Sequence, residues 1–351
     1  MNQTLVFPDA REVAIEDRDR PEPTAEEVLI ETDTSLISAG TELTVLSGDF
    51  PEGSFWDEYA EFPFDPGYAN VGTVVEVGAD PQGADVASDD AGASTTGATG
   101  AELDVGTRVA TWSPHAEYVA AAAEDCVVVP DDVDDEQASL FAIAQIVMNG
   151  VRRGRIDWGE TVVVYGLGIL GQLAVRFARI AGAETVVGVD LAEQRLEYLP
   201  DSPEVVGVNP TEEDPVEAVE AATGGDLADV CLEVTGNPDV IPQEFGVLHE
   251  QARLVLLSSP HGKTTLDFHD HVNAPSHEII GAHQLSHAPV ATPRDPWTKP
   301  AHAELFFSYV EQGRLSVSDL FSHVVDARDA PGTYQSLLED RSDAMAVRLE
   351  W

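Results

Sequence analysis

The segment from Thr161 to Gly182 constrains the fold more than any other part of the chain. A β-branched apolar run, TVVVY, leads into Gly166, Gly168 and Gly171, and apolar residues then recur at helical spacing. We expect the first glycine to allow a tight turn, the second to let the backbone approach a pyrophosphate, and the third to let the helix pack against the strand. Free N–H groups at the helix N-terminus would favour the phosphate charge, so the segment predicts a dinucleotide-binding loop.

A second strand, TVVGVD, ends in Asp190, nineteen residues after Gly171. A carboxylate at this place suits the diol of the adenosine ribose and repels a 2′-phosphate, so the unit predicts NAD rather than NADP. The alternative interpretation is an ordinary βαβ crossover whose glycines serve packing alone.

Strand and helix patterns alternate between residues 160 and 284, where the apolar runs are TVVVYG, TVVGVD, ADVCLEVTG, RLVLLSS and EIIGAH. This alternation predicts an α/β fold with a doubly wound parallel sheet of the Rossmann type. Residues 1–80 instead contain short β-type runs between Pro and Gly turns, and residues 134–155 have a helical pattern. The tail from residue 285 predicts two helices and a final strand, MAVRLEW.

Residues 80–103 differ in composition from both flanks, because they are rich in Gly, Ala, Ser, Thr and Asp and poor in apolar side chains. Such a composition cannot bury a core. We therefore expect a mobile acidic insertion between two strands.

The charge balance is extreme, with 64 acidic against 18 basic residues and a formal net charge of −46. Lys263 and Lys299 are the only lysines, and the acidic residues are spread along the whole chain. Since the Debye length falls to about 3 Å at 1 M salt, this pattern indicates a halophilic protein whose self-repulsion is screened. Nucleic acid and anionic membrane are disfavoured as partners for the same electrostatic reason.

Two cysteines, Cys126 and Cys231, are too few for a disulfide framework or a four-thiolate zinc site. The first residues, MNQTLVFPDAREV, lack the pattern of a signal peptide, and no apolar stretch has the length of a membrane span. We expect a cytoplasmic protein.

The chain resembles the medium-chain dehydrogenase/reductase superfamily along nearly its whole length. The segments that carry the resemblance are GTEL, PGYANVGTVVEVG, GTRVATW, AEYV, GLGILGQLAVRFARIAGA, EVTGNP and LLSSPHG. The segments ISAGTEL and GYANVG are most similar to those of the branch that contains bacteriochlorophyllide a dehydrogenase and zinc-type alcohol dehydrogenase-like proteins. The resemblance implies a GroES-like β-rich catalytic domain formed by residues 1–145 and 285–351, a Rossmann domain over 146–284, and hydride transfer in the cleft between them.

Zinc-dependent members of this superfamily bind their catalytic metal through cysteine, histidine and glutamate at positions where this chain differs. By resemblance, Ala39 stands at the cysteine, Tyr68 at the histidine, Ala69 at the adjacent glutamate, and Ala142 close to the third ligand. None of these side chains offers a thiolate, imidazole or carboxylate, so we expect no catalytic zinc. Eight of the ten histidines lie between His249 and His302, which leaves open a rebuilt metal site there; the alternative is that they are polar surface or cleft residues.

Without a metal, a side chain must polarise the substrate oxygen. The resemblance points to the hydroxyls of Thr41 and Tyr68 as candidate donors, with Glu42 or His115 orienting the donor or returning its proton. Each has a structural alternative: a core aromatic for Tyr68, a turn residue for Thr41 and an ion-pair partner for Glu42. The candidate cofactor-binding residues are Gly166, Leu167, Gly168, Ile169, Leu170, Gly171, Asp190, Arg195, Thr235, Gly236, Ser258 and Ser259.

The resulting expectation is an NAD(H)-dependent, zinc-independent oxidoreductase of the alcohol dehydrogenase or carbonyl reductase type, acting on a small molecule as a homodimer or homotetramer. Two alternatives stay open. One is a quinone or enone reductase, and the other is a dinucleotide-binding protein without catalytic activity.

Overall fold

The computed structural model describes residues 1–78, 95–96, 100 and 102–351, so most of the expected insertion at 80–103 lies outside the described residues. The described chain divides into two compact units, one formed by Met1–Ala142 with Val290–Trp351 and the other by Ile143–Pro289. The sequence analysis placed the domain boundaries after residues 145 and 284, and this division into domains stays a prediction.

The described strands are, in chain order, β1 Asn2–Val6, β2 Ala14–Arg18, β3 Glu27–Ile37, β4 Asn70–Val77, β5 Thr95–Thr96, β6 Glu102–Leu103, β7 Arg108–Thr111, β8 Tyr118–Ala122, β9 Val127–Val128, β10 Thr161–Tyr165, β11 Thr185–Val189, β12 Val205–Val208, β13 Ala228–Glu233, β14 Leu248–Leu256, β15 Glu278–Gly281, β16 Phe321–Asp326 and β17 Ala346–Glu350. The α-helices are α1 Ala39–Ser47, α2 Phe55–Tyr59, α3 Asp135–Ala138, α4 Phe141–Gly154, α5 Ile169–Ala181, α6 Glu193–Leu196, α7 Pro215–Thr223, α8 Ile241–Glu244, α9 Lys299–Glu311 and α10 Ala330–Glu339. No helix among the described residues is long and apolar enough to cross a membrane.

The unit Ile143–Pro289 contains one six-stranded parallel sheet in the order β12-β11-β10-β13-β14-β15. In the order of the strands along the chain this is 3-2-1-4-5-6, the doubly wound arrangement predicted from the alternating pattern. The run Val162–Val164 is fully buried, as expected for a strand covered on both faces. The strand order reverses between β10 and β13, and ligands of such sheets bind at the carboxyl ends of the strands on either side of that reversal.

The other unit is mainly antiparallel. Its largest sheet has the order β16-β17-β3-β4-β7-β9, and β8 also pairs with β3. The C-terminal strand completes this sheet, because Val347 pairs with Ile37 and Glu350 with Thr34. The tail and the N-terminal residues therefore form one folded unit, and the predicted α/β fold class with a second, β-rich domain is confirmed.

Local structure differs from the sequence prediction at several places. Helix α1, for example, lies within residues 1–80, where the sequence predicted β-type runs. The helical stretch 134–155 divides into α3 and α4, because Asp134 and Gln137 form a capping box that starts a separate short turn. Strands β12 and β16 were not predicted. The first has four residues with a glycine among them, and the second is largely exposed, so neither carries a clear periodic signal.

Candidate active site

The loop after β10 has the geometry expected of a phosphate-binding turn. Gly166 has φ of +92°, a conformation that side chains other than glycine rarely adopt. A Cβ atom on Gly171 would lie 1.8 Å from the carbonyl oxygen of Gly166, so the helix can approach the turn this closely only with glycine there. A Cβ on Gly168, by contrast, would meet nothing within 4 Å. The backbone at Gly168, the N-cap of α5, is therefore open for a phosphate group to approach.

Asp190 is the first residue after β11 and begins the next loop. Its carboxylate accepts hydrogen bonds from the backbone N–H groups of Leu167 at 2.7 Å and Ala192 at 2.9 Å. Arg195 lies 3.4 Å from the same carboxylate, and its positive charge offsets part of the charge of Asp190. These contacts join the glycine loop to the loop after β11, and leave carboxylate lone pairs for the hydroxyls of a ribose.

Glu233, the last residue of β13, forms hydrogen bonds with three further candidate cofactor residues, Thr235, Gly236 and Ser258. Its fully buried carboxylate accepts the backbone N–H groups of Thr235 at 2.7 Å and Gly236 at 2.9 Å, together with the hydroxyl of Thr235 at 2.6 Å. The hydroxyl of Ser258, after β14, donates to the other oxygen. Ser259 is the next residue along the same loop, and its carbonyl lies 3.2 Å from the ring of His261.

The predicted catalytic hydroxyls meet at the start of α1. The phenol oxygen of Tyr68 forms a short hydrogen bond with the hydroxyl of Ser38, the N-cap residue of that helix. Burial raises the pKa of Tyr68 to about 12, although hydrogen bonds with Ser38 and Thr41 act in the opposite direction. The Tyr68 ring stacks on Trp112, with ring centroids 5.1 Å apart and 15° between the planes. The structure thus brings Tyr68 and Thr41 together and adds Ser38 as a third hydroxyl.

Glu42 and His115 form a separate, buried network. The Glu42 carboxylate, 1% exposed, accepts the backbone N–H of Ser38 at 2.8 Å, the Nε2–H of His115 at 3.2 Å and the hydroxyl of Tyr334. On its other side, His115 Nδ1 lies 2.8 Å from the hydroxyl oxygen of Ser35.

Trp351 adds a further donor to this network. The indole N–H of Trp351 can only donate, and it lies 2.8 Å from the Ser35 oxygen, so the Ser35 proton is free to point at Nδ1 of His115. In this arrangement Nε2 of His115 carries the proton that is donated to Glu42. Gly67 is needed beside it, since a Cβ there would lie 2.7 Å from the His115 ring.

The donor atoms around Tyr68 do not fit a zinc ion. The atoms that face it are hydroxyl oxygens of Ser38 and Thr41, whereas zinc requires thiolate, imidazole or carboxylate ligands. The nearby carboxylate of Glu42 is already bound by three donors. Over the described ranges of the chain, no group of three or more His, Cys, Asp or Glu side chains is placed to hold a metal ion.

Two histidines of the histidine-rich stretch, His277 and His249, contact backbone carbonyls and a carboxylate. His277 lies between the backbone carbonyls of His271 and His249, at 2.7 and 2.9 Å, and stacks on Phe245. His249 in turn pairs with Asp229 at 2.9 Å. These histidines form hydrogen bonds that hold local structure.

Sequence reasoning missed five residues of these hydrogen-bond networks: Ser35, Ser38, Glu233, Tyr334 and Trp351. A small polar residue before a helix is an N-cap signal, which would have pointed to Ser38. Glu233 follows an apolar strand at the carboxyl edge of a parallel sheet, where ligand-binding loops begin. Tyr334 and Trp351 have no such signal, because 292 residues separate Tyr334 from Glu42 and 316 separate Trp351 from Ser35.

Part of the chain is similar in sequence to known dehydrogenases. Residues 170–292 match the family model described as zinc-binding dehydrogenase. An L-threonine 3-dehydrogenase of Symbiobacterium thermophilum is 35% identical over 156 residues, which cover 43% of each chain, so the match spans less than half of that relative.

Two solved structures share the fold of the whole chain. The 2R,3R-butanediol dehydrogenase of Bacillus subtilis superimposes with a TM-score of 0.77 at 19% identity over 100% of both chains. A structure described as a short chain alcohol dehydrogenase, from Escherichia coli CFT073 in complex with NADH, gives a TM-score of 0.75 at 17% identity over 100% of this chain and 99% of that one. Residues 170–292 are thus similar to the zinc-binding dehydrogenase family, and the chain as a whole shares the fold of these two solved structures.

Proposed function

We propose that the protein is an NAD(H)-dependent, zinc-independent oxidoreductase that reduces the carbonyl group of a small molecule, in the manner of an alcohol dehydrogenase or carbonyl reductase. The observation that carries the proposal is the hydroxyl cluster Ser38–Thr41–Tyr68, in which Tyr68 stands where the resemblance places a zinc-binding histidine. The relatives named above are dehydrogenases, which supports the same class of reaction.

The residues of the parallel-sheet unit fit a nicotinamide dinucleotide. The open backbone at Gly168 would take the pyrophosphate, and Asp190 would bind the adenosine ribose. Loops that begin at Thr235 and Ser258 are held in place by the shared carboxylate of Glu233. When bound, the cofactor supplies the hydride.

Tyr68 suits the role of hydrogen-bond donor to the carbonyl oxygen. Because burial raises the pKa of Tyr68 to about 12, the phenol keeps its proton at neutral pH and can donate it as negative charge develops on the substrate oxygen. The hydroxyls of Ser38 and Thr41 then stabilise the phenolate and can pass a proton back to it.

Glu42 and His115 act in this scheme as positioning residues. Both are buried, at 1% and 0% exposure, so neither reaches a substrate in this conformation. Glu42 instead accepts the N–H of Ser38 and thereby holds the Ser38 hydroxyl against Tyr68.

The test is a Tyr68→Phe variant, compared with wild type in molar KCl. Loss of one preorganised donor typically lowers turnover by about 10²–10³. NADH affinity should stay nearly unchanged, because the phosphate-binding residues lie in the other unit. Tyr59→Phe is the matched control, since Tyr59 is 41% exposed and its ring packs against Phe55 and Phe64 in the same unit.

The substrate panel includes alcohols, aldehydes, quinones and enones. Full activity in the Tyr68→Phe variant would refute the donor role. Turnover of quinones or enones alone would favour the reductase alternative, and NADH binding without turnover of any substrate would favour a non-catalytic protein.

A further inference from the structure

Lys299 occupies an unusual place for a lysine in this chain. The sequence has two lysines against 64 acidic residues. Lys263 is exposed, whereas Lys299 is partly buried and is the first residue of α9. The Thr298 side chain accepts the backbone N–H of Ala301 at 3.3 Å, which caps the helix and fixes where Lys299 begins it.

Trp112 joins Lys299 to the hydroxyl cluster. The Nζ atom of Lys299 lies 3.8 Å from the centroid of the Trp112 ring, a cation–π contact. The same ring stacks on Tyr68 at 5.1 Å between centroids. One aromatic side chain therefore touches both the ammonium group and the proposed hydrogen-bond donor.

Several forces act against a lysine at this position. Burial lowers the pKa of Lys299, and the exposed carboxylate of Asp125 offsets only part of this effect. The N-terminus of a helix carries partial positive charge, which also disfavours a cation on its first residue. Burial therefore reduces the solvation of the ammonium group, and the charge of Asp125 is one of the interactions that offset this loss.

We propose that Lys299 binds an anionic substituent of the substrate, a carboxylate or a phosphate, next to the carbonyl group that Tyr68 polarises. This assignment rests on the proposed function and names its substrate class. An anion that approaches a surface of net charge −46 is repelled at long range, so recognition requires a local cation, and a lysine supplies one as a point charge for either anion. The Trp112 ring provides the apolar wall between the two recognised groups.

The presence of only two lysines makes a direct binding test practicable. Protein labelled with ¹³C and ¹⁵N in lysine should show two sets of side-chain NMR signals, which a Lys263→Arg variant assigns. At constant ionic strength, 3-hydroxybutyrate or methyl phosphate should shift the Lys299 signals and leave those of Lys263 in place, and 2-butanol should shift neither. A response to one anion alone identifies that group, and a response to both supports the shared chemistry. No shift at Lys299, or an equal shift at both lysines, would overturn the proposal.

Steady-state kinetics provide the second measurement. Because a hydrogen bond to a charged group is worth a factor of about ten to a hundred in binding, Lys299→Met should lower the ratio of kcat/KM for an anionic substrate to that for a neutral one by about tenfold or more. Lys299→Arg should restore much of the ratio, and Lys263→Met should not change it.

The NMR measurement needs no turnover, so the two proposals can fail separately. A specific shift at Lys299 in a protein that oxidises no NADH would leave the anion site standing and remove the proposed reaction.

Discussion

Replacing Glu244 with glutamine should make the protein markedly more stable at neutral and alkaline pH. Glu244 is fully buried at the end of α8, and neither of its carboxyl oxygens has a hydrogen-bond partner in the part of the chain that the structure describes. Burial, and after it the charge of the neighbouring Glu233, together raise the pKa of Glu244 to about 9. Cys231 and Tyr165 also lie close enough to feel the charge of Glu244, and burial raises the pKa of both.

The direction of the pH effect follows from the proton balance. Between a pKa of about 4.5 in the unfolded chain and about 9 in the folded one, the folded state binds one more proton at Glu244. Stability therefore falls as pH rises through this window and levels off above it. At 1.36 kcal/mol for each unit, this single carboxyl lowers the free energy of unfolding by about 3 kcal/mol at pH 7 relative to pH 4.5, and by roughly 6 kcal/mol above pH 9.

Urea denaturation at pH 5, 7 and 8.5 in molar KCl measures the effect. The Glu244→Gln variant should match wild type within about 1 kcal/mol at pH 5 and exceed it by about 3 kcal/mol at pH 7, because glutamine has the same shape and does not titrate. Glu220→Gln, at an exposed position on α7, is the control and should leave the pH dependence unchanged. A Glu244→Met variant covers the case in which the unpaired amide disturbs folding. If both Glu244 variants lose stability with pH as steeply as wild type does, the reasoning is wrong.

Three further outcomes are expected. The melting temperature should be higher in molar KCl than in dilute buffer, because salt screens the repulsion among charges that sum to −46. A melting temperature that does not change with salt would contradict the halophile interpretation. NADH should bind more tightly than NADPH. The Asp190→Asn variant, which keeps a hydrogen-bond acceptor for Leu167, should lower the ratio of the dissociation constants for NADPH and NADH by about tenfold. Tighter binding of NADPH than of NADH by wild type would contradict this prediction. Finally, metal analysis should find no stoichiometric zinc and a chelator should leave activity unchanged, because Ala39 and Tyr68 replace expected ligands; one tightly bound equivalent would refute the proposal.

The sequence alone was sufficient where local pattern and structure coincide. The strand–glycine–helix segment from Thr161 to Gly182 and the alternation that follows predicted the parallel sheet, because burial on both faces requires continuous apolar strands and the close approach at Gly171 requires glycine. The charge excess and the scarcity of lysine are likewise properties of composition, and do not depend on the fold.

The tertiary structure alone decided how the candidate site is assembled. Glu42 and His115 were visible as titratable residues, but Tyr334 and Trp351, which complete their network, come from the far end of the chain. The packing of α10 against α1 brings Tyr334 to Glu42, and the pairing of β17 with β3 brings Trp351 to Ser35. The contact of Lys299 with Trp112 and the unpaired carboxyl of Glu244 are equally invisible to periodicity. Local sequence encodes which face of an element is apolar, whereas the solvation and partners of a polar group depend on residues distant in sequence that folding packs around it.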